Sequence, residues 1–201
     1  MSSEIYNTVD SQGESLYKEK GSKFLGLVQS CHNENEAKKI IQALREEHPN
    51  AVHVCFAWRF GIENYSDRYS DDGEPNNSAG KPIFGQIINA EITNVLITVV
   101  RYYGGTKLGV GGLISAYKTA AAEAIENTII VQKELTYECI IRYDYSETGK
   151  ANIILSKNNV DIIENGFDSL GPFIKFAANK IAISKVKIAL GETKSIKLEE
   201  E

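Results

Sequence analysis

The sequence lacks a run of about 18 consecutive apolar residues, the length that a membrane-spanning helix needs. Its three cysteines are widely spaced and odd in number, which excludes a disulfide framework and a paired Cys-x-x-Cys zinc site. The start of the chain is polar and has no basic-then-apolar signal pattern. We therefore expect a cytoplasmic protein with reduced thiols and no membrane partner.

An excess of basic residues is also absent. The 201 residues carry 22 lysines and arginines against 27 acids, a net charge of −5, and neither residues 1–130 nor 131–201 are net basic. Proteins that bind nucleic acid usually carry a basic surface. Any contact with RNA must therefore rest on a local patch.

Hydrophobic periodicity predicts an α+β protein with two domains, residues 1–130 and 131–201. Residues 1–21 are polar, with a turn signal at Gly13, and 61–80 are predicted as a long polar loop. Residues 128–136 are predicted to be a connector, although 128–131 could also form a strand. In the first domain we expect strands at 22–31, 52–60 and 94–103, and helices after the Asn33 cap, at 82–89 and from Leu113 to Ile125.

The second domain begins near Tyr137. The pattern there predicts strand, helix, two strands, helix and strand, an order typical of ferredoxin-like βαββαβ domains. The predicted elements are 137–143, 147–157, 160–164, 173–178, 183–190 and 195–198.

Residues 101–112 hold five glycines within nine positions, between an apolar strand and a helix. A helix N-terminus presents free N–H groups and the positive end of the dipole, so this corner is a candidate anion site. The spacing matches neither a P-loop nor a dinucleotide fingerprint. The alternative is a tight turn that needs glycine for packing. The predicted anion- or nucleic-acid-binding residues are Arg101, Tyr102, Tyr103, Gly104, Gly105, Lys107, Gly109, Gly111, Gly112, Lys81 and Lys118.

Asp71, Asp72 and Glu74 concentrate negative charge beside a turn. Carboxylate oxygens of this kind can hold magnesium, although the spacing does not fit the twelve-residue calcium loop. Two alternatives stay open. The loop is a solvated turn, or its acids pair with Arg101 or Lys107 and tune the basic patch.

His53 and Cys55 point to the same face of a strand and could form an activated thiolate. No third group that would orient the histidine is identifiable. Because free cysteine is usually buried, a core thiol is the alternative interpretation. The sequence predicts no cofactor.

The Ser-Asp-Asp-Gly-Glu-Pro run from Ser70 and the Arg-Tyr-Tyr-Gly-Gly-x-x-Leu-Gly-x-Gly-Gly-Leu run from Arg101 resemble the two signatures of the IMPACT/YigZ family. The resemblance covers about residues 15–126, and 137–201 look like the extra ferredoxin-like domain of bacterial members, which is similar to domains of elongation factor G. The chain departs from the family pattern at Asn77 and Ser78, where Gly-Thr is usual, and at Ser115, where a basic residue is common.

The resemblance implies an N-terminal domain of left-handed βαβ type, similar to the second domain of a small-subunit ribosomal protein and to domain IV of elongation factor G. Those relatives contact RNA. Eukaryotic members regulate translation by competing for the activator of a stress kinase, whereas bacterial members have no settled activity.

We therefore predict a cytoplasmic, non-enzymatic factor that associates with RNA or the ribosome and takes part in translation control. Two alternatives stay open. One is an enzyme that binds a nucleotide or phosphate at the glycine-rich segment, and the other is a module that binds a protein partner in translation control.

Overall fold

The structure is a computed structural model and describes residues 5–191 and 196–200. The described residues form two compact units, one of Tyr6–Lys133 and one that joins Ile5 with the described residues from Glu134 onward. The domain division after residue 130 stays a prediction. Both units combine helices with β-sheet, which confirms the predicted α+β class. Within the described ranges, no helix is long and apolar enough to cross a membrane.

The N-terminal unit is built on a five-stranded sheet with the strand order β2-β3-β6-β4-β5, in which all neighbours are antiparallel. Strands β1 and β7 form a separate two-stranded sheet. The elements in chain order are β1 (Ile5–Val9), β2 (Gly13–Glu19), β3 (Ser22–Ser30), α1 (Glu34–Glu47), β4 (His53–Phe60), β5 (Ser66–Ser70), α2 (Gly80–Asn89), β6 (Val95–Tyr102), α3 (Gly109–Glu126) and β7 (Ile130–Glu134).

Strand β6 lies at the centre of the sheet and is buried on both faces, as its continuous apolar run predicts. Because side chains alternate along a strand, Ile97 and Val99 face the core beneath α2 and α3, whereas Leu96 and Val100 face the core beneath α1. Arg101 shares the face of Ile97 and Val99. The sequence of β6 thus places a cation on the α2–α3 side of the sheet.

Helix α1 begins with the predicted capping pattern. The Asn33 side chain accepts a hydrogen bond from the Glu36 amide at 2.9 Å, and the Glu36 carboxylate accepts one from the His32 amide at 2.9 Å. Asn33 thus satisfies an amide of the first turn, and Glu36 reaches back to an amide of the chain that enters the helix. Pro49 follows the last turn, as expected.

Three parts of the N-terminal unit differ from the sequence prediction. Strands β1 and β2 lie within the polar stretch 1–21, and β5 lies within the predicted loop 61–80. Helix α3 begins at Gly109 instead of Leu113, so three of the clustered glycines belong to its first turn. Strands β1, β2 and β5 are short, polar or at a sheet edge, where the alternation of apolar residues is weak.

The C-terminal unit has the strand order β11-β8-β10-β9, with antiparallel neighbours. This is the fourth-first-third-second order of a ferredoxin-like sheet and agrees with the predicted βαββαβ sequence of elements. Residue 195 of the predicted last strand lies outside the described residues. The elements are β8 (Tyr137–Tyr143), a 3-10 turn (Tyr145–Glu147), α4 (Thr148–Ser156), β9 (Asp161–Asp168), β10 (Gly171–Ala178), α5 (Lys180–Leu190) and β11 (Ile196–Glu200).

Candidate functional site

The acidic loop between β5 and α2 is held together by its first carboxylate. Asp71 accepts hydrogen bonds from the amides of Asn77 at 2.8 Å, Ala79 at 3.0 Å and Gly80 at 2.8 Å. Two of these amides belong to the start of α2, which has no other side-chain cap. Asp71 therefore closes the loop and satisfies the end of the helix.

Asp72 is also committed to protein contacts. Its carboxylate accepts from the Arg45 guanidinium at 2.6 Å and from the Val54 amide at 2.7 Å. Among the described residues, no group of three or more His, Cys, Asp or Glu side chains could hold a metal ion. The magnesium interpretation of Asp71, Asp72 and Glu74 is therefore corrected: these acids serve as structural acceptors.

Glu74 turns inward and meets Arg101 beneath the loop. The Arg101 guanidinium lies 2.5 Å from the Glu74 carboxylate, and the Tyr117 hydroxyl donates to the same oxygen at 2.7 Å. All three side chains are buried, and burial is the main reason why the pKa of Tyr117 is raised. The two signature segments thus meet in one buried ion pair, which is the pairing alternative left open by the sequence.

This pairing corrects the role expected for Arg101. The residue is 6% exposed and its charge is balanced by Glu74, so it is not a free cation for phosphate. Its Nε–H is buried and has no hydrogen-bond partner among the described residues. The guanidinium carbon also lies 5.6 Å from the centre of the Tyr103 ring, within cation–π range.

His53 and Cys55 do not form a catalytic pair. His53 Nδ1 lies 2.7 Å from the Asp72 carbonyl, and because a carbonyl can only accept, this nitrogen carries the proton. The Cys55 thiol donates to the Asp71 carbonyl at 3.1 Å, and burial raises the pKa of this thiol. The thiol is therefore held protonated, and the activated-nucleophile interpretation is corrected to that of a core thiol.

The structure requires glycine in the corner after β6 for different reasons at different positions. A side chain at Gly104 would overlap the backbone of Gly21 and Ser22, so glycine permits two chain segments to touch there. Gly105 and Gly109 have positive φ values of 84° and 75°, where other residues are strained. Gly111 has open space around it. The packing alternative is thus true for part of the corner, while the corner itself stays exposed.

The two tyrosines at the end of β6 point in opposite directions. Tyr103 is 47% exposed, whereas Tyr102 is half-buried on the α1 side and its hydroxyl lies 2.7 Å from His48 Nδ1. Lys107 is exposed, and the described part of the chain offers it no ion-pair partner. Lys81 and Lys118 are exposed on α2 and α3 and do not line the groove described next.

A groove of about 520 Å³ opens where the corner, the acidic loop and the start of β4 come together, and we call it the α3 groove. Its walls are largely apolar, and its polar members are His53, Glu74, Arg101 and Lys107. No side chain caps the first turn of α3, and that turn carries no acid. The lining residues are Val52, His53, Glu74, Pro75, Arg101, Tyr103, Lys107, Leu108, Gly109, Val110 and Leu113.

Several groove residues were not predicted from the sequence. Val52 and Pro75 carry no chemical signal of their own and enter the groove through the fold. Tyr117 does not line the groove but contacts Glu74 from the core, and its place in an apolar helical stripe hides this hydroxyl contact from sequence analysis. The signal that the sequence offers for this contact is the hydroxyl group of a tyrosine at a predicted core position.

Comparisons with known proteins place the chain in a family. The Impact N-terminal domain model matches residues 20–125, a range that contains both signature segments. The chain therefore belongs to the IMPACT family, which confirms the predicted resemblance. It is similar to IMPACT family member YigZ of Escherichia coli, with 30% identity over 85% of this chain and 81% of that protein.

Further relatives extend the similarity along the chain. IMPACT family member YvyE of Bacillus subtilis is 33% identical over 72% of this chain and 67% of its own length. A crystal structure described as that of a hypothetical protein covers 98% of this chain and 99% of its own, with a TM-score of 0.78 and 27% identity. The fold described above is thus shared over nearly the full chain.

Proposed function

We propose that this protein is a cytoplasmic, non-enzymatic factor that associates with RNA or the ribosome in translation control. The α3 groove would be its contact with RNA. The observation that carries the proposal is the exposed, uncapped first turn of α3 beside Lys107. Free amides, the positive end of the helix dipole and one unpaired ammonium group favour a phosphate at this point.

The charge distribution limits how strong this contact is. The chain has a net charge of −5 and Arg101 is neutralised by Glu74, so Lys107 is the main free charge of the groove. Each phosphate neutralised on a single strand changes the logarithmic salt slope by about −0.7. With one phosphate neutralised we expect a slope of about −0.7, much shallower than that of proteins with an extended basic surface.

The state of Cys55 supports binding over nucleophilic catalysis. Burial raises the pKa of the thiol, and its proton is donated to a backbone carbonyl. Family membership supports the setting in translation control, which the resemblance attributes to the eukaryotic members.

The test measures fluorescence polarisation of a labelled single-stranded RNA of mixed sequence in 50 mM salt. Lys107→Glu should weaken binding at least tenfold. Lys81→Glu is the matched control, since it makes the same charge change at an exposed lysine outside the groove. Undetectable RNA binding, or equal losses in the two variants, would overturn the proposal.

A pull-down with and without nuclease separates RNA from protein partners. If translation components stay bound after nuclease treatment and Lys107→Glu has no effect, the protein-partner alternative is correct. If they are released by nuclease, RNA is the bridge and the proposal stands.

A further inference from the structure

The α3 groove has the features of a site for one nucleotide rather than for a continuous length of backbone. Building on the RNA contact proposed above, we propose that the groove takes a single unstacked nucleotide of single-stranded RNA. Its phosphate would lie on the first turn of α3 and its base against Tyr103. The protein would then select single-stranded over double-stranded RNA.

The dimensions and lining of the groove agree with this ligand. Sites for small molecules have volumes of about 300–1,000 Å³, are mainly apolar and carry few polar groups. The α3 groove has about 520 Å³, with apolar walls that include Val52, Pro75 and Leu108. An extended backbone alone would use the charged rim and leave these apolar walls exposed to water.

Tyr103 is placed to stack on a base. It is 47% exposed and lines the groove, and the Arg101 guanidinium lies 5.6 Å from its ring centre. Because Glu74 fixes Arg101 at 2.5 Å, one side of the tyrosine is supported by a rigid group. An exposed aromatic ring supported in this way is a stacking platform for single-stranded nucleic acid.

Arg101 lines the groove with a side chain that is more than nine-tenths buried. Its Nε–H has no hydrogen-bond partner among the described residues but is closed to solvent, so a ligand in the groove does not reach it. Arg101 therefore contributes to the site through its contact with Tyr103.

The stacking contact requires the base to leave its helix. In double-stranded RNA the base faces are covered by neighbouring base pairs, and the major groove is too deep and narrow for side chains. Tyr103 lines the groove directly after the end of β6. A duplex can therefore offer its phosphates to α3 but not a base to Tyr103.

The experiment compares a ten-nucleotide single-stranded RNA with the same strand annealed to its complement, for the full-length protein and three variants. Tyr103→Ala should weaken binding of the single strand about tenfold, and Tyr103→Phe should change it less than twofold, because stacking needs the ring and not the hydroxyl. The duplex should bind at least tenfold more weakly than the single strand. Tyr145→Ala is the matched control, since Tyr145 is 83% exposed in the C-terminal unit.

Competition identifies what the groove holds. Adenosine monophosphate should displace the labelled single strand at concentrations at least tenfold below those needed for inorganic phosphate. Equal competition by the two would show a phosphate site without a base and would overturn the inference.

The remaining outcomes separate the two proposals. If duplex and single strand bind equally well, the nucleotide site is wrong and the RNA contact still stands. The same conclusion follows if Tyr103→Ala leaves RNA binding unchanged while Lys107→Glu weakens it. If the protein binds no RNA, both proposals are wrong. Trp58 fluorescence confirms that each variant of the N-terminal unit is folded.

Discussion

Replacing Glu74 with glutamine keeps the size of the side chain but leaves the Arg101 guanidinium, 6% exposed, without an opposing charge. Removal of one member of a buried ion pair costs about 3–5 kcal/mol of folding free energy. For a small domain, the free energy of unfolding changes by about 1–3 kcal/mol per molar urea. The urea midpoint of the N-terminal unit should therefore fall by roughly 2 M.

The reverse change removes the other member of the pair. Arg101→Met leaves the Glu74 carboxylate buried without its guanidinium and should cost about as much, about 3–5 kcal/mol. Glu74→Gln combined with Arg101→Met should recover most of the loss, because no unpaired charge remains.

Urea unfolding followed by tryptophan fluorescence measures these differences. The chain has one tryptophan, Trp58, which is 2% exposed in the core of the N-terminal unit. Tyr117→Phe is the control: it removes one hydrogen bond to Glu74 but no charge, a cost of about 1.5–3 kcal/mol. The reasoning is refuted if Glu74→Gln costs less than Tyr117→Phe, or if the double variant is no more stable than either single charge variant.

Three further predictions concern the glycines, the thiols and the C-terminal unit. Gly104→Ala should lower the thermal midpoint, because the methyl group would overlap the backbone of Gly21. Gly111→Ala has open space and should stabilise α3 by about 0.5–1 kcal/mol. Equal shifts of the thermal midpoint in the two variants would contradict this prediction. At pH 8 the native protein should react slowly with iodoacetamide at Cys31, because burial raises the pKa of that thiol to about 11 and leaves about 0.1% thiolate. Mass spectrometry with and without urea measures the labelling, and rapid labelling of the native protein would count against this prediction. The Leu170 amide and Arg142 lower the pKa of Asp168, so its stabilising contribution is present above the ordinary aspartate value of about 3.9 and is lost as the pH falls through the lower folded value. The stability difference between wild type and Asp168→Asn should therefore be larger at pH 7 than at pH 2, and a constant difference in urea titrations would exclude this contact as the cause.

The elements with strong apolar patterns could be predicted from the sequence, and the polar ones could not. The continuous apolar run of β6 and the Asn33–Glu36 cap of α1 each carry a direct physical signal. Strand β5 consists of polar and aromatic residues at the sheet edge, where one row of backbone groups faces water and no apolar alternation is required. Its pairing with β4 comes from tertiary context.

The site was predicted in part for the same reason. The glycine corner and its lysine are adjacent in sequence, so their chemistry could be seen directly. The partner of Arg101 is 27 positions away, and pairing with the acidic loop was one of three open interpretations of that loop. Only the fold decides that Glu74 turns inward while Asp71 closes the loop, because the choice depends on which backbone amides lie within reach.

The pairing of β1 with β7 joins the first and last strands of the N-terminal unit, and just inside them the Asp10 amide donates to the Ile129 carbonyl at 2.9 Å. A segment whose two ends lie together can be spliced into a host chain, or circularly permuted, without a long spacer. We therefore expect the N-terminal unit to tolerate transfer into another protein as a whole. Different domains could be fused where its two ends meet, with the groove on the five-stranded sheet left intact.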